Sequence, residues 1–477
     1  MANRPEYDLC VIGGGAAGLV TAAGGASLGA KVALVDNKAL GGDCLRYGCV
    51  PSKALLHSAR VAQTVRHAEA ASIGTGPLEF SLSRVMERVG RVIASIEPHD
   101  SPQRFRDLGV NVIFGAGRFL DPDHFEVNGK MLTARHFVLA TGSRPIIPPI
   151  EGLTAAPYLT NETLFALREE VPRLLILGAG PIGVEMAQAF CRLGSHVDVA
   201  DAAPSILPRE DADMAEPVRL ALEREGVRFN LGQNVCGVEG FAGDIRMRIA
   251  DANGNARWLQ GSHLLVAVGR APNLEGLGLE AAGVAVAQGR LKLDTRLRTS
   301  NPRILACGDV AGPYFFTHMA EHQAGVVLKN ALLHLPAKAE TGVVPWCTFT
   351  DPEIARVGLS EREARERGVT HKVYSFPFSS LDRAITDDQT TGQAKLLVGR
   401  RGRILGAAIT GAHAGELIHE YVLALKHHLK VADLAETIHI YPTLAQINRR
   451  VAEQHLKAGL TPTTRRWIQR ILRLRGD

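Results

Sequence analysis

The sequence predicts an α/β protein that uses one strand–helix–strand unit twice and closes with a smaller α+β domain, and three observations carry that expectation. The first is an internal repeat: residues 13–36 and 178–201 share one skeleton at a constant offset of 165, without a gap. Gly13, Gly15 and Gly18 match Gly178, Gly180 and Gly183; Leu28-Gly29 matches Leu193-Gly194; Val32 matches Val197; Asp36 matches Asp201. The second is length, since 477 residues exceed what one hydrophobic core supports and call for about three domains. The third is a change of texture after residue 340, from long apolar runs between glycine turns to short strands followed by helical patterns.

Each copy of the repeat begins with an apolar strand, Asp8–Ile12 and Arg173–Leu177, turns through its glycines into a helix, and returns as a second strand ending in the acid. In such a Gly-x-Gly-x-x-Gly loop the first glycine permits the tight turn, the second lets a pyrophosphate approach the backbone, and the third lets helix and strand pack. The helix N-terminus offers unpaired N–H groups and a partial positive charge to the phosphates. Asp36 and Asp201, each 23 residues beyond its first glycine, are placed to accept ribose hydroxyls. One such loop can be a plain strand-to-helix turn; two in register, each with its acid, predict two bound dinucleotides and two Rossmann-like domains.

Further apolar runs at Phe137–Arg144, Leu264–Arg270 and Ile304–Gly312 read as chain crossings. They suggest a first dinucleotide domain over 1–150, to which 271–340 returns, and a second over 151–270. Strands at Tyr374–Phe378, Ala394–Val398 and Leu405–Thr410 with helical patterns over 414–430 suggest an interface domain over 341–460. Thr461-Pro462 is a good helix start for a last segment, 461–477.

Composition excludes several classes. With 46% hydrophobic and 22% charged residues the chain is globular, and 49 glycines without a period exclude a fibre. Seven cysteines, odd in number and mostly isolated, do not make a secreted disulfide framework and fit a reducing cytoplasm. Met1 to Asp8 is short and polar and lacks the blocks of a signal peptide. Leu9 to Ala30 is uncharged for 22 residues, long enough to span a bilayer, but the repeat accounts for the seven glycines that interrupt it. A net charge of +5 without a basic stripe of interleaved aromatics excludes nucleic acid as a partner.

The segment Gly41-Gly42-Asp43-Cys44-Leu45-Arg46-Tyr47-Gly48-Cys49-Val50-Pro51-Ser52-Lys53 carries the chemistry. If a helix starts here, Cys49 lies near its N-terminal end, where the dipole favours a thiolate, with Lys53 on the same face. Two thiols five positions apart can close a small disulfide if the turn between them is distorted. The plainer reading, two buried apolar cysteines, is disfavoured by the adjoining dinucleotide loop.

These residues resemble the active-site motif of the pyridine nucleotide-disulfide oxidoreductases, the group that contains dihydrolipoamide dehydrogenase, glutathione reductase and mercuric reductase. The similarity extends through Ala140-Thr141-Gly142-Ser143-Arg144-Pro145, Gly178 to Glu185, Gly269-Arg270-Ala271-Pro272-Asn273 and Cys307-Gly308-Asp309-Val310, and covers most of the chain. It implies FAD in the first site, with Asp36 on the adenosine ribose and Asp309 near the ribityl chain, and a nicotinamide dinucleotide in the second. Gly42, Thr141, Gly142, Ser143, Arg144, Gly269 and Arg270 join the implied cofactor-binding set, and no residue is assigned to a metal. The resemblance makes Cys49 the thiol against the flavin and Cys44 the thiol that meets substrate, and sets Lys53 beside flavin N5, paired with Glu185 where the nicotinamide docks. Electrons then pass between nicotinamide, flavin, the cysteine pair and an acceptor, in either direction. A carboxylate at Asp201 repels a 2′-phosphate, so NAD(H) is expected over NADPH, with Arg209 as the residue that would argue otherwise.

The pattern breaks near the C-terminus. Relatives that exchange dithiols carry His-x-His-Pro-Thr-x-x-Glu, reaching across a dimer; here the segment reads His439-Ile440-Tyr441-Pro442-Thr443-Leu444-Ala445-Gln446. Tyr441 has an ordinary pKa near 10 against about 6.5 for histidine, and Gln446 cannot stabilise an imidazolium. His439, on what reads as a strand-like segment, is expected to be structural. Mercuric reductases also place a tyrosine near here but carry a C-terminal cysteine pair, whereas the last cysteine is Cys347, and no metal-capture domain is expected before residue 8.

The expected protein is a homodimeric, three-domain flavoenzyme, with dihydrolipoamide-type disulfide exchange placed ahead of metal-ion or quinone reduction. A third reading, a flavoprotein subunit docked to a membrane or a larger assembly, rests on the tail. There Arg465, Arg466, Arg470, Arg473 and Arg475 stand against Asp477, and Trp467, Ile468, Ile471, Leu472 and Leu474 share one helical side. Packing of that helix on its own dimer is the alternative, so the expected location is cytoplasmic, with peripheral membrane contact as the variant.

Overall fold

The first repeat folds as its spacing requires. In the computed structural model, which describes residues 4–474, strand Tyr7–Ile12 lies between Val32–Asp36 and Lys130–Leu139, parallel to both. The sheet continues through Asn111–Phe114 on one side and His124–Val127 and Gly117–Asp121 on the other, with Ile304–Ala306 beside Lys130–Leu139. Because side chains alternate across a strand, Leu9 and Val11 enter one core with Leu34, Val138 and Leu305. Cys10 and Ile12 enter the other, with Val35, Phe119, Phe125 and Phe137. Burial on both faces explains why the central strand reads as an unbroken apolar run. Each such side chain contributes about 1.5–3 kcal/mol to the fold.

The uncharged stretch Leu9–Ala30 is therefore strand plus the helix Ala16–Ser27, and no helix among the described residues is long and apolar enough to cross a membrane.

Backbone contacts divide the chain into two units. The first comprises 1–178, 192–196 and 235–340; the second comprises 179–191, 197–234 and 341–477. The boundary passes through the second repeat, directly after Gly178. In the first unit Arg173–Leu177 pairs in parallel with His263–Val266. In the second, Asp198–Asp201 pairs in parallel with Arg228–Leu231.

The runs read as chain crossings are shorter as strands. Phe137–Arg144 breaks after Leu139 and Leu264–Arg270 breaks after Val266, each at a glycine of positive φ, Gly142 (+71°) and Gly269 (+140°). Beyond the breaks, Ser143–Pro145 and Arg270–Pro272 pair with each other as an antiparallel ribbon. Of Ile304–Gly312 only Ile304–Ala306 is strand.

The second unit holds an antiparallel sheet in the order Trp346–Thr348, Glu353–Gly358, Ile404–Gly411, Gln393–Val398, Lys372–Pro377. Its apolar face meets Tyr421, Leu434, Ile447 and Val451 around the fully buried Phe378. The helical pattern over 414–430 is two helices, Ala414–Leu417 and His419–Lys426. The strand-like reading of 439–446 is corrected: residues 438–445 are irregular, with a cis Tyr441-Pro442 bond, until the helix Gln446–Gly459 begins. Pro442 has no N–H to give a ladder, so the apolar alternation there does not make a strand.

Candidate active site

Both repeats build the same clamp. Asp36 accepts the Gly14 N–H at 2.6 Å through one carboxylate oxygen and the Lys38 N–H at 2.7 Å through the other. At the offset of 165, Asp201 accepts the Ala179 N–H at 2.6 Å and the Ala203 N–H at 2.7 Å. Each acid thus ties one amide of its glycine loop to the turn that follows its own strand.

The first loop fits a pyrophosphate. A side chain at Gly13 or Gly18 would collide with neighbouring backbone, so those two positions serve close packing. A Cβ at Gly15 would meet only Gly42 Cα, at 3.8 Å, whereas one at Gly42 would lie 2.6 Å from Gly15 Cα. Two bare backbones thus approach each other closely at the start of Ala16–Ser27, a helix whose first N–H groups have no side-chain cap. That is the donor set an anionic phosphate needs. In the second loop, Gly178 takes φ +112°, and nothing stands within 4 Å of where a Cβ on Gly180 would project. Gly183 lies in the helix Pro181–Arg192.

The cysteine segment folds as two helical pieces, Gly42–Arg46 and Cys49–Arg66, separated by Tyr47 and Gly48. Cys49 is the first residue of the long helix, the position where partial positive charge favours a thiolate. Its side chain is hydrogen-bonded to Cys44. Thr317 Oγ1, at the first position of the helix Thr317–Ala331, lies 3.5 Å from Cys49 Sγ. The hydrogen bond with Cys44, then that with Thr317 and the charge of Lys53, bring the Cys49 thiol down to about 6 against the effect of burial. The same Cys44–Cys49 bond, with burial behind it, pushes Cys44 far up. The shared hydrogen bond thus acts in opposite senses on the two thiols and favours the thiolate at Cys49, the helix start. Lys53 Nζ donates to Ser52 Oγ at 3.2 Å.

A polar network ties this segment to the rest of the first unit. Arg270 donates to Ser143 Oγ at 2.7 Å, to Ser143 O at 3.0 Å and to Asn161 Oδ1 at 3.3 Å, and pairs with Asp43, the neighbour of Cys44, at 3.2 Å. Asn161 Nδ2 donates to Asp43 at 3.0 Å and to Tyr47 O at 3.2 Å. Ser143 donates to Asp309, whose carboxyl burial raises and the Ser143 hydroxyl and Arg270 charge lower. Thr141 exchanges hydrogen bonds with Asn273, and Arg144 reaches Pro272 O and Glu275. Sequence reasoning named Arg270, Ser143 and Asp309 but missed Thr317, Asn161 and Asp43 as partners. Asp43 lay inside the cysteine motif itself and Thr317 a few residues beyond the Cys307-Gly308-Asp309 run, whereas Asn161 had no motif beside it.

In the second unit Glu185 is buried and accepts the Phe349 N–H at 2.9 Å. His439 is held on both ring nitrogens, by Thr437 O at 2.9 Å and by Glu420 at 3.0 Å, and Glu420 also accepts from Asn448 at 2.8 Å. Tyr441 is exposed and donates to Asp382 at 3.1 Å, and that carboxylate raises the phenol above its ordinary range. Gln446 is buried at the start of its helix. Among the described residues no group of three or more His, Cys, Asp or Glu is placed to hold a metal ion.

Comparison with known proteins agrees with this geometry. Residues 7–324 match the family model described as pyridine nucleotide-disulphide oxidoreductase, and 344–451 match its dimerisation domain. A mercuric reductase of Bacillus cereus is 34% identical over 443 residues, covering 92% of this chain and 70% of that protein. A dihydrolipoyl dehydrogenase of Thermus scotoductus is 37% identical over 460 residues, covering 92% and 95%. Among solved structures, the HOCl-induced flavoprotein disulfide reductase RclA from Escherichia coli superposes with a TM-score of 0.84 at 28% identity, covering 94% of this chain and 99% of that one. A Cu(II) complex of the same protein superposes equally well, at 0.84. The glycine loops, the cysteine pair and the dimerisation sheet are those of one lineage, and the chain belongs to the pyridine nucleotide-disulphide oxidoreductases, enzymes that bind FAD and a nicotinamide nucleotide.

Proposed function

We propose that the enzyme passes electrons from NADH through FAD and the Cys44–Cys49 pair to a thiophilic metal ion or a quinone. What supports the reading is the placing of the pair: Cys49 opens its helix 3.5 Å from Thr317 Oγ1, with its thiol pKa lowered, and Cys44 lies on the short helix before it. When bound, FAD supplies hydride acceptance from nicotinamide and two electrons for a disulfide. The chain does the rest. Gly15 and Gly42, with the uncapped N–H groups that open Ala16–Ser27, would border the pyrophosphate, Gly13 and Gly18 would hold the loop closely packed behind it, and Asp36 and Asp309 would hold the adenosine ribose and the ribityl chain. Reductive cleavage of the disulfide leaves Cys49 as thiolate under Lys53 and Thr317. Cys44 gives up its proton as it binds or attacks the acceptor, and two electrons pass to the acceptor as the Cys44–Cys49 disulfide closes again, a quinone taking up two protons.

Tyr441 and Gln446 decide between acceptors. Dithiol exchange needs a base that titrates near neutrality beside the cysteines, and a phenol raised by Asp382 does not supply one. This supports metal-ion or quinone reduction over the dihydrolipoamide exchange that the sequence put first. The test is anaerobic titration with NADH, followed by lipoamide, glutathione disulfide, Hg(II), Cu(II) and quinones as acceptors. A long-wavelength band from a thiolate against oxidised flavin is expected after two electrons. Cys49 is depressed to about 6, so the band holds at neutral pH and fades as pH falls through that value. Lipoamide turnover exceeding that of all other acceptors would reverse the acceptor assignment, and an absent band would remove the cysteine relay.

Asp201 sets the nicotinamide choice. Its carboxylate would repel a 2′-phosphate, so kcat/KM for NADH is expected to exceed that for NADPH by about tenfold or more. Steady-state kinetics with both cofactors measures it, and equal values would refute the role of Asp201.

A further inference from the structure

The helix Pro462–Leu472 is well made and leaves most of its apolar side exposed. Thr461 caps it by accepting the Thr464 N–H at 3.1 Å, Pro462 occupies its first position, and none of its residues is buried. Trp467 is 63% exposed, Ile471 67% and Leu472 64%, with Leu474 just beyond at 55%. At about 100° per residue, Trp467, Ile468, Ile471 and Leu472 fall on one side, while Arg466, Arg470 and Arg473 fall on the other and Arg465 at the border. Arg475 and Asp477 lie outside the described residues. From residue 454 to 474 there is no Asp or Glu.

Two occupants compete for the apolar side: a second copy of the chain and a lipid surface. Charge separates them. Residues 341–460, the domain through which family members pair, carry 15 Lys and Arg against 13 Asp and Glu, so the domain as a whole brings no net negative charge to four arginines. A bilayer rich in anionic headgroups does. A helix lying in its interface buries tryptophan and aliphatic side chains at the acyl boundary and keeps guanidinium groups among phosphates.

We propose that residues 461–474 are an interfacial anchor that docks the enzyme on anionic membrane surfaces. The inference is independent of the acceptor: it concerns where the enzyme works, not what it reduces. The FAD-loaded full-length enzyme is mixed with vesicles of phosphatidylcholine alone, or of phosphatidylcholine with phosphatidylglycerol, and sedimented. Pelleting is expected with the anionic vesicles only, falling as salt rises. It is expected to be lost in a 1–460 truncation and in a Trp467→Ser/Ile471→Ser double variant, both keeping NADH oxidation. Equal pelleting of full-length and truncated enzyme, or none with either lipid, overturns the proposal. So does a truncation that turns dimer into monomer in sedimentation velocity, which would make a second copy the occupant.

Discussion

Replacing Cys49 with serine is expected to abolish the long-wavelength band and to lower turnover of every thiol-dependent acceptor by at least about 10³-fold, because the group that takes electrons from the flavin is gone. Cys44→Ala separates the two sulfurs. That variant keeps the Cys49 thiolate but loses the hydrogen bond that contributes most to depressing it, so its band should persist with a pH midpoint above the wild-type value of about 6. Acceptor turnover should fall about as far as in Cys49→Ser, since the sulfur that meets the acceptor is missing. Absorbance spectra recorded across pH, with acceptor assays on both variants, check all of this. A band surviving in Cys49→Ser would show that the absorbing species is not this thiolate.

The largest stability effect should come from Arg356. Its side chain is 3% exposed, 3.3 Å from Glu210 and 3.0 Å from Glu363, and its guanidinium lies 4.3 Å from the centre of the Trp346 ring. Trp346 Nε1 also donates to Glu210 at 2.6 Å. Burial already raises the Glu210 carboxyl, and the charge of Arg356 is the strongest influence opposing it. Arg356→Ala leaves that carboxylate buried beside a neutral indole, a loss of about 3–5 kcal/mol at neutral pH. A carboxyl raised above its unfolded value is stabilised by protonation. The deficit against wild type should therefore shrink as pH falls towards 5 and grow again as pH rises. Arg356→Met with Glu210→Gln should recover most of the loss, as neither charge is left alone. Denaturant unfolding at several pH values measures these differences, and a deficit independent of pH would exclude Glu210 as its cause.

What the sequence disclosed is what depends on short-range spacing. The repeat with its acids gave away both glycine loops, since a tight turn, a bare helix start and a carboxylate 23 residues on must recur together to do one job. Cys49 at a helix start followed from the same local logic. Partners from distant parts of the chain were hidden: Thr317 reaches Cys49 across 268 positions, and Asn161 reaches Asp43 across 118, with no periodicity to connect them. Segment 439–446 misled because its apolar alternation imitates a strand. His439 shows a third case. Its residue type indicated only a histidine, while its role as a post fixed by Glu420 and Thr437 depends on groups 19 positions away and two positions away.

The paired carboxylate clamps have a kinetic meaning. Because Asp36 and Asp201 each tie an amide of the glycine loop to the turn after the second strand, each loop is held in shape before a nucleotide arrives, and less backbone freedom is left to lose on capture. Occupancy should then be governed by how slowly the bound molecule leaves. Weakening either tether should speed escape more than it slows arrival.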